Sequence, residues 1–538
     1  MGRLLRVAAT WGVFSLGCYG SSAVGDADGR MFDDGGSDDG GLDDGGLDDG
    51  GTDDGRDVPV PVCLTDDDHD RFGEGCPAGP DCDDSEPRCT VDCSDGDGDG
   101  TPECADSAWM LALGIGQADR FDSVVGLPDG GLVASGVTDV RGYAMAEPWL
   151  VRFDHGGAVL WQEMLPLYSY TAWLSQLDRA ADGDLFGFGG ACAGPDPLDP
   201  RYFCGPLLVR FAPDGTVRWA RSYSLAEGNG AGFVFVRMPA GELLMAGKRF
   251  EYVMGEMEVH PWIGRLHEDG SVAWQRLLRH SDSGWAADVA ATTDGGGIVV
   301  GCRRCRSALD DSDAWIVRLD AAGNPAWDKT YTKGAGVERA MKVQELAGGD
   351  ILVLASAPES LDILRLSPSG DLVAARAFGL APSCDRCTLE TDYTTAANGF
   401  LVDGTRTVSS GYPPTESHFP LLAALDVDAG VVWGRQLGCG ARIDEATVLP
   451  YGRVLLAGVE GVVTATGVTA DGFAANLAPD AEAPGSCAGA AYTVLIEVPA
   501  PVWTATESSL VLQDTAVVPL TVDVVPVPTT AVVTWRYP

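Results

Sequence analysis

The chain has 538 residues, with 36 Lys and Arg against 79 Asp and Glu, which gives a formal net charge of -43. This length exceeds one ordinary domain of roughly 100 to 200 residues, and the charge excludes nucleic acid and anionic membrane surfaces as electrostatic partners. The 71 glycines and 45% hydrophobic residues predict many short strands joined by tight turns, together with an unfolded acidic stretch.

The first residues have the layout of a secretory signal. Arg3 and Arg6 make the start positive, and residues 7–17 form an apolar run that ends at Cys18. Such a run is too short to cross about 30 Å of hydrocarbon, so it is not a transmembrane helix. We therefore predict that residues 1–17 are a signal peptide and that the chain is exported.

The string Ser15-Leu16-Gly17-Cys18 resembles the lipoprotein box of bacterial envelope proteins, with Ser15 where Leu is commonest. The resemblance implies that Cys18 is lipidated and becomes the mature N-terminus. It places the protein at the outer membrane, facing either the periplasm or the cell surface, with the lipid as its only membrane contact. The alternative is a plain signal peptide followed by a chance cysteine.

Residues 18–57 are predicted to be a disordered tether. Residues 26–57 of this segment repeat Asp-Asp-Gly-Gly with almost no apolar surface, so nothing offsets the entropy lost on ordering. Residues 26–106 contain 28 acidic residues against four arginines, so 4 minus 28 places -24 of the -43 there. The acidity is therefore concentrated ahead of the main fold.

Residues 58–106 form a cysteine-rich segment whose carboxylates have the spacing of calcium ligands. Alternating acids at positions one, three and five, with an acid at twelve, provide the oxygen cage that calcium requires. We predict as calcium ligands Asp95, Asp97, Asp99, Glu103 and Asp106, and in a second copy Asp66, Asp68 and Asp70. Both copies resemble thrombospondin type 3-like calcium repeats, and the alternative is further acidic linker.

Cysteine usage agrees with an oxidising compartment. Removing Cys18 from the 15 cysteines leaves an even number, as expected of disulfides. The cysteines of the N-terminal module are Cys63, Cys76, Cys82, Cys89, Cys93 and Cys104. The remaining predicted pairs are Cys192 with Cys204, Cys302 with Cys305, Cys384 with Cys387, and Cys439 with Cys487. The two Cys-x-x-Cys strings are alternatively redox pairs or a four-thiolate zinc site.

Residues 107–486 contain an internal repeat. One element is a turn between apolar runs, at Asp129-Gly130, Asp182-Gly183, Ala240-Gly241, Asp294-Gly295, Gly348-Gly349, Asn398-Gly399 and Tyr451-Gly452. The other is an apolar strand with an Arg nine residues before a Trp; Arg152 and Trp161 form the first such pair. Equivalent positions are held by Trp219, Trp274, Trp327 and Trp433, with Ala374 in one copy and Trp109 in the first strand.

Two hairpins per repeat and about 54 residues per repeat predict an all-β, seven-bladed β-propeller with four-stranded blades. The strand at Trp109 has no hairpin partner, and the seventh repeat lacks its Trp strand, so the N-terminal strand should close the last blade. The repeat resembles the quinoprotein-like (PQQ-like) propellers of bacterial envelope proteins. Residues 487–538 are predicted to be either a small β appendage or extra strands against the propeller.

The connections between hairpins should all lie on one face of the propeller. The long ones mark it as the binding face, and they are predicted at 138–147, 191–205, 248–260, 302–313 and 405–419. The residues predicted to form a contact patch there are Tyr168, Tyr170, Trp173, Tyr202, Phe203, Trp285 and Tyr412, with packing as the alternative for each. No common hydrolase or NTPase motif occurs, so we predict a monomeric binding protein or scaffold that recognises a protein or glycan partner. The rivals are a quinone-dependent dehydrogenase and an outer-membrane assembly factor.

Overall fold

The computed structural model contains β-strands and no other regular element within the residues that it describes. These are residues 108–115, 119–138, 147–165, 170–193, 203–225, 229–253, 256–280, 282–305, 311–334, 336–357, 360–380, 387–396, 399–410, 415–428, 430–437, 441–449, 453–464, 467–477, 490–491, 495–498, 504–507, 511–514, 517–521, 527–528 and 532–537. The predictions made for residues 1–106 lie outside them, including lipidation of Cys18 and the calcium ligands.

The chain folds into a propeller of seven sheets, which we call blades 1 to 7, and the four repeat strands of each are a to d. Blades 1 to 3 contain β2 (Asp119–Gly126), β3 (Leu132–Thr138), β4 (Glu147–Phe153), β5 (Val159–Met164), β6 (Tyr170–Arg179), β7 (Leu185–Ala193), β8 (Phe203–Phe211), β9 (Val217–Leu225), β10 (Asn229–Arg237), β11 (Leu243–Val253), β12 (Glu256–Leu266) and β13 (Val272–Arg279). Blades 4 to 6 contain β14 (Gly284–Ala291), β15 (Gly297–Arg303), β16 (Asp313–Leu319), β17 (Pro325–Thr332), β18 (Arg339–Glu345), β19 (Ile351–Ala357), β20 (Ser360–Leu366), β21 (Leu372–Leu380), β22 (Cys387–Ala396), β23 (Gly399–Ser410), β24 (Thr415–Asp426) and β25 (Val431–Gln436). Blade 7 contains β26 (Ala441–Val448), β27 (Val454–Thr464), β28 (Gly467–Leu477) and, as its strand d, β1 (Trp109–Gly114).

The first strand of the chain closes the ring. β1 pairs antiparallel with β28, with Trp109 opposite Asn476 and Leu113 opposite Gly472. This confirms the predicted seven-bladed architecture, its four repeat strands per blade and closure by the N-terminal strand.

Hydrogen bonds between neighbouring a strands show that these strands form the inner ring. Glu445 of blade 7 accepts from the backbone N–H of Val124 in blade 1 at 3.0 Å, and Asp288 of blade 4 accepts from Val343 in blade 5 at 3.0 Å. Gln176 of blade 2 accepts from the N–H of Phe235 in blade 3 at 3.1 Å and donates to its carbonyl at 2.8 Å. Side chains from one blade thus satisfy backbone groups of the next.

The hydrophobic core consists of layers between adjacent blades. Alternate residues of each strand point to opposite neighbours, so every blade contributes to two layers. In the layer between blades 7 and 1, for example, Phe121 and Trp149 of blade 1 are fully buried in one cluster with Leu455 and Ala474 of blade 7. The ring therefore has no position at which one blade can be removed without exposing two core layers.

A fifth strand is added to every blade by the C-terminal part of the chain. These strands are β29 (Ala490–Ala491), β30 (Leu495–Val498), β31 (Thr504–Glu507), β32 (Val511–Asp514), β33 (Val517–Thr521), β34 (Val527–Pro528) and β35 (Val532–Tyr537), which we call the belt. They pair antiparallel with strand d of blades 6, 5, 4, 3, 2, 1 and 7 in that order. Of the two alternatives for residues 487–538, the structure therefore has extra strands against the propeller.

The twist of the blades explains how one short segment reaches all seven edges. Adjacent strands rotate by about 20 to 25°, so a fifth strand is rotated by about 80 to 100° from strand a. An outermost strand therefore runs along the circumference instead of along the channel axis. The gaps between belt strands are correspondingly short, from residues 515–516 at the least to 499–503 and 522–526 at the most.

Candidate functional site

The antiparallel hairpins give the propeller two unlike faces. The turns between strands a and b and between strands c and d lie on one face, which we call the turn face. The connections between strands b and c and between successive blades lie on the opposite face, the loop face. This arrangement is the one that the repeat predicted.

On the turn face, the repeated arginine of strand c binds the turn between strands a and b of its own blade. Its partners are carboxylates in blades 1 to 5. The pairs are Arg152 with Asp129, Arg210 with Asp182, Arg265 with Glu242, Arg318 with Asp294, and Arg365 with Asp350. Some arginines also reach the next blade, because Arg318 contacts Glu345 at 3.1 Å and Arg365 contacts Asp428 at 3.3 Å. The arginine signature of the repeat therefore connects turns and is not a free cationic site.

The repeated tryptophan of strand d joins neighbouring blades. Its indole lies against a glycine of the following c–d turn, and an added Cβ at Gly157, Gly270, Gly323 or Gly370 would lie 2.7 to 3.1 Å from the nearest ring atom of Trp109, Trp219, Trp274 or Trp327. Each of these glycines has a positive φ between 77° and 84°, where only glycine is unstrained. Trp327 also donates its indole N–H to the carbonyl of Pro368 at 2.9 Å. Blade 5 has Ala374 at this position and lacks the contact.

Turn-face aspartates are held in the ionised state by local hydrogen bonds. The Thr292 hydroxyl, together with Arg318, lowers the pKa of Asp294 to about 2. The backbone N–H of Asn324 lowers the pKa of Asp320, and the Ser369 hydroxyl with Lys329 lowers that of Asp371. The side chains of this face thus serve their own turns and the adjoining blades.

The loop face differs from blade to blade. Strands b and c have 7 residues each in blades 4 and 5, but 11 each in blades 3 and 7 and 12 each in blade 6. The insertions predicted at 248–260 and 405–419 are therefore largely strands, which stay in register to Val253 opposite Glu256 and to Ser410 opposite Thr415. The extended hairpin of blade 7 was not among the predicted long connections.

Both disulfides within the described residues lie on the loop face. Cys192 and Cys204 are direct cross-strand neighbours in β7 and β8, and their bond closes the b–c connection of blade 2. Cys302 and Cys305 form a bond at the end of β15, and Arg304 between them has a φ of 59°. These two predicted pairs are confirmed. Cys387 begins β22, whereas Cys384, Cys439 and Cys487 lie outside the described residues.

The predicted contact residues separate into three groups. Tyr168, Tyr202 and Tyr412 lie outside the described residues, and Tyr170 and Phe203 begin the strands β6 and β8. Trp173 lies over Gly190 in the neighbouring strand. Trp285 is only 9% exposed and packs beside the Cys302–Cys305 disulfide, with the Lys248 ammonium 4.0 Å from its ring centroid. Their role in binding remains a prediction, and burial of Trp285 favours its packing alternative.

Two Arg-x-Asp motifs lie where the inner strands of blades 7 and 1 meet. Asp122 and Asp444 are the extra residues of β-bulges at equivalent positions in β2 and β26. Arg120 contacts Asp122 at 2.5 Å, and Arg442 contacts Asp444 at 2.9 Å. Burial, together with the charge of Asp122, raises the pKa of Asp444 to about 6, although Arg442 opposes the shift. The repeated Arg-x-Asp spacing was a signal for this cluster that the sequence reading missed.

The extended hairpin of blade 3 has two different sides. Phe250 and Val259 pack with Trp285 on the side toward blade 4. On the other side, Glu251 binds Arg279 at 2.5 Å and Arg249 at 3.2 Å. The neighbouring His260 is nearly buried and contacts Glu258 and Arg279, and burial followed by the Arg279 charge lowers its pKa. This network connects the hairpin to Arg279 in strand d of the same blade.

Within the described part of the chain, no cluster of three or more His, Cys, Asp or Glu side chains has metal-binding geometry. Nor does that part contain a helix that is long and apolar enough to span a membrane. The predicted calcium ligands and lipid anchor are at other positions and stay predictions.

Comparison with known proteins shows no matching family model and no matching curated protein. Among solved structures, a protein of unknown function from Dyadobacter fermentans is similar with a TM-score of 0.37 and 11% identity, over 57% of this chain and 94% of that one. A mannose phosphorylase from Leishmania mexicana in complex with phosphate ion has a TM-score of 0.26 and 10% identity, over 47% and 85%. Drosophila Plexin A in complex with Semaphorin 1b has a TM-score of 0.27 and 10% identity, over 69% and 87%. At these sequence identities and TM-scores, the similarity assigns no activity and no partner to this chain.

Proposed function

We propose that the chain is an exported, lipid-anchored cell-envelope protein that binds a protein or glycan partner through the loop face of its propeller. Its role is recognition without turnover. In this proposal the N-terminal module is stabilised by calcium and disulfides, and the acidic segment before it is a flexible tether.

The observation that supports this proposal best is the unequal use of the two faces. Side chains of the turn face repeat from blade to blade and contact their own turns or the next blade. The loop face carries the elements that vary, namely the long hairpins of blades 3, 6 and 7 and the bonded connections of blades 2 and 4. Variable elements on a rigid scaffold are where binding surfaces usually lie.

The disulfides support the exported location. Both described bonds stabilise loop-face elements, and such bonds persist in oxidising compartments such as the periplasm or the cell surface. Rigid projections also lose less entropy on binding than free loops do.

The test shortens the loop-face hairpins without touching the blades. Glu460 and Asp471 are register partners in blade 7, as are Arg406 and Phe419 in blade 6. Residues 461–470, or 407–418 in a second variant, can therefore be replaced by Asn-Gly, which closes a two-residue hairpin in the same register. The matched control on the turn face is Asp269→Lys with Asp371→Lys.

Binding is measured by passing solubilised envelope fractions of the source cells over the immobilised protein. The fractions are untreated, protease-treated or periodate-treated. We expect one or both hairpin variants to lose at least about tenfold in affinity while the control keeps it. Loss of ligand after protease treatment would identify a protein partner, and loss after periodate a glycan. If only the turn-face control loses binding, the proposed face is wrong.

A further inference from the structure

The outer edge of every blade is occupied by a strand of the same chain. Strand d would otherwise present a row of unpaired N–H and C=O groups, which is a template for pairing with another chain. In this protein β29 to β35 pair with those edges on all seven blades. No other segment of the described chain contributes to so many sheets.

We propose that the belt is an intramolecular strand donor that keeps the protein monomeric, and that a blade edge released from the belt pairs with the same edge of a second copy of this chain. The belt is thus a conformational device and not a passive extension. This proposal does not depend on the partner of the loop face.

Each belt strand is too short to be stable alone. The ladders have two residue pairs for β29 and β34, and five for β33 and β35. Isolated two-stranded pairings of this length are marginal in water at best. Because the strands are joined by gaps of a few residues, docking of one strand gives the next a high local concentration, and the whole segment binds as one multivalent ligand.

The composition of the belt suits an outermost strand. Pro519 and Pro528 stand within β33 and β34, and proline is tolerated in sheets where its missing N–H would point to solvent. Proline on such an edge also blocks addition of a further strand. The register sets Asp514 opposite Arg276 and Glu507 opposite Lys329, which are residues of opposite charge.

The belt ends on the blade that closes the ring. It runs backwards from blade 6 to blade 1 and ends on blade 7, where β35 pairs with β1. In blade 7, β1 therefore lies between β28 and β35. The last belt strand thus holds the strand that closes the ring.

The first test breaks one belt ladder in the full chain. In antiparallel strands, neighbouring residues direct their N–H groups in opposite directions, so Leu512→Pro with Gln513→Pro removes a donor from the β32–β13 ladder whichever residue supplies it. The matched control is Thr515→Pro with Ala516→Pro, which lie between β32 and β33. Amide hydrogen exchange at residues 276–279 and molar mass by light scattering are the readouts.

We expect exchange at residues 276–279 to quicken by at least about tenfold in the 512/513 variant and a dimer to appear, with neither change in the control. A monomeric 512/513 variant with unchanged exchange would overturn the proposal. Faster exchange without any dimer would refute the second-copy occupant.

The second test cuts the belt from the folded protein, and it applies even if the proline variant does not fold. A protease site is inserted between Ala488 and Gly489 of the full chain, so that Cys487 stays with the propeller, and the folded protein is then cut. We expect the fragment to co-elute with the propeller on gel filtration, or to separate and leave a propeller that oligomerises and returns to monomer when the fragment is added back. A fragment that separates and leaves a monomer of unchanged thermal stability contradicts the proposal.

Discussion

The turn face and the loop face are opposite ends of the same strands, and they differ in what their residues contact. On the turn face, the repeated Arg and Trp side chains contact turns of their own blade and of the next. On the loop face, strands of 11 or 12 residues extend some hairpins, and disulfides bond others. The repeated Arg and Trp, which are the strongest signal in the sequence, therefore mark the face that holds the blades together. The functional proposal depends on the loop face, where that signal is absent.

The largest expected effect concerns the Trp–Gly contact of the turn face. Gly323→Ala places a Cβ 2.7 Å from Trp274 at a φ of 77°, whereas Gly183→Ala has a φ of 92° and nothing within 4 Å. We expect Gly183→Ala to cost about 1 to 2 kcal/mol of unfolding free energy from backbone strain alone. Gly323→Ala should cost about 1 to 3 kcal/mol more because the indole must move. Denaturant unfolding measures both, and equal losses would mean that the contact contributes nothing.

A smaller effect is expected from the disulfides of the loop face. Cys192→Ala with Cys204→Ala opens a sequence separation of 12, whereas Cys302→Ala with Cys305→Ala opens one of 3. The chain-entropy model gives losses of about 3 and about 2 kcal/mol respectively. Thermal unfolding of the two double variants provides the measurement. A reversed order would show that native packing around Trp285, and not chain entropy, determines the contribution.

The bulge cluster between blades 7 and 1 should make stability depend on pH. The pKa of Asp444 is raised to about 6 in the folded protein, so the folded state holds the proton more strongly than the unfolded state does. Its ionisation therefore destabilises the fold as the pH rises from about 4 to 6, and the cost is fully present above 6. Asp444→Asn should reduce the stability difference between pH 4 and pH 8 by about 1 to 3 kcal/mol. Denaturant unfolding curves of the original protein and the Asp444→Asn variant between pH 4 and pH 8 provide the measurement. Identical dependence of their unfolding free energies on pH would contradict the expectation.

The smallest effect has the opposite sign and belongs to the turn face. The pKa of Asp294 is lowered to about 2, so its contribution is present above about pH 4 and is lost as the pH falls through 2. Because the side chain is 60% exposed, Asp294→Asn should cost less than about 1 kcal/mol at pH 7 and nothing at pH 2. Thr292→Val removes the hydrogen bond from the Thr292 hydroxyl to Asp294, so it should reproduce part of the loss of stability at pH 7. A loss that persists at pH 2 would point to packing instead of charge.

The repeat predicted the propeller because its signature residues act locally and recur. Arg318 and Trp327, for example, contact the following blade, so most copies keep the same residues at the same spacing. Closure by the strand at Trp109 followed from counting strands. The two described disulfides followed from the cysteine spacing.

The belt and the site could not be derived in the same way. Strands such as β29 and β34 have 2 residues each, and the edge with which they pair determines them more than their own sequence does. Similarly, the pKa of Asp444 depends on Asp122, a residue more than 300 positions away in the chain. Whether Trp173 and Trp285 bind a partner depends on neighbouring loops that no local pattern specifies.

The position of β35 brings the last described strand beside the first. β35 runs antiparallel to β1, and Tyr537 at its end lies opposite Met110 near the start of β1. The start of β1 and the end of β35 thus meet on one blade edge, at the turn face, where Trp109 donates to the His155 carbonyl at 2.7 Å. A short turn would join them into a new hairpin, so the propeller could be opened at another turn and keep its blade order as a circular permutant.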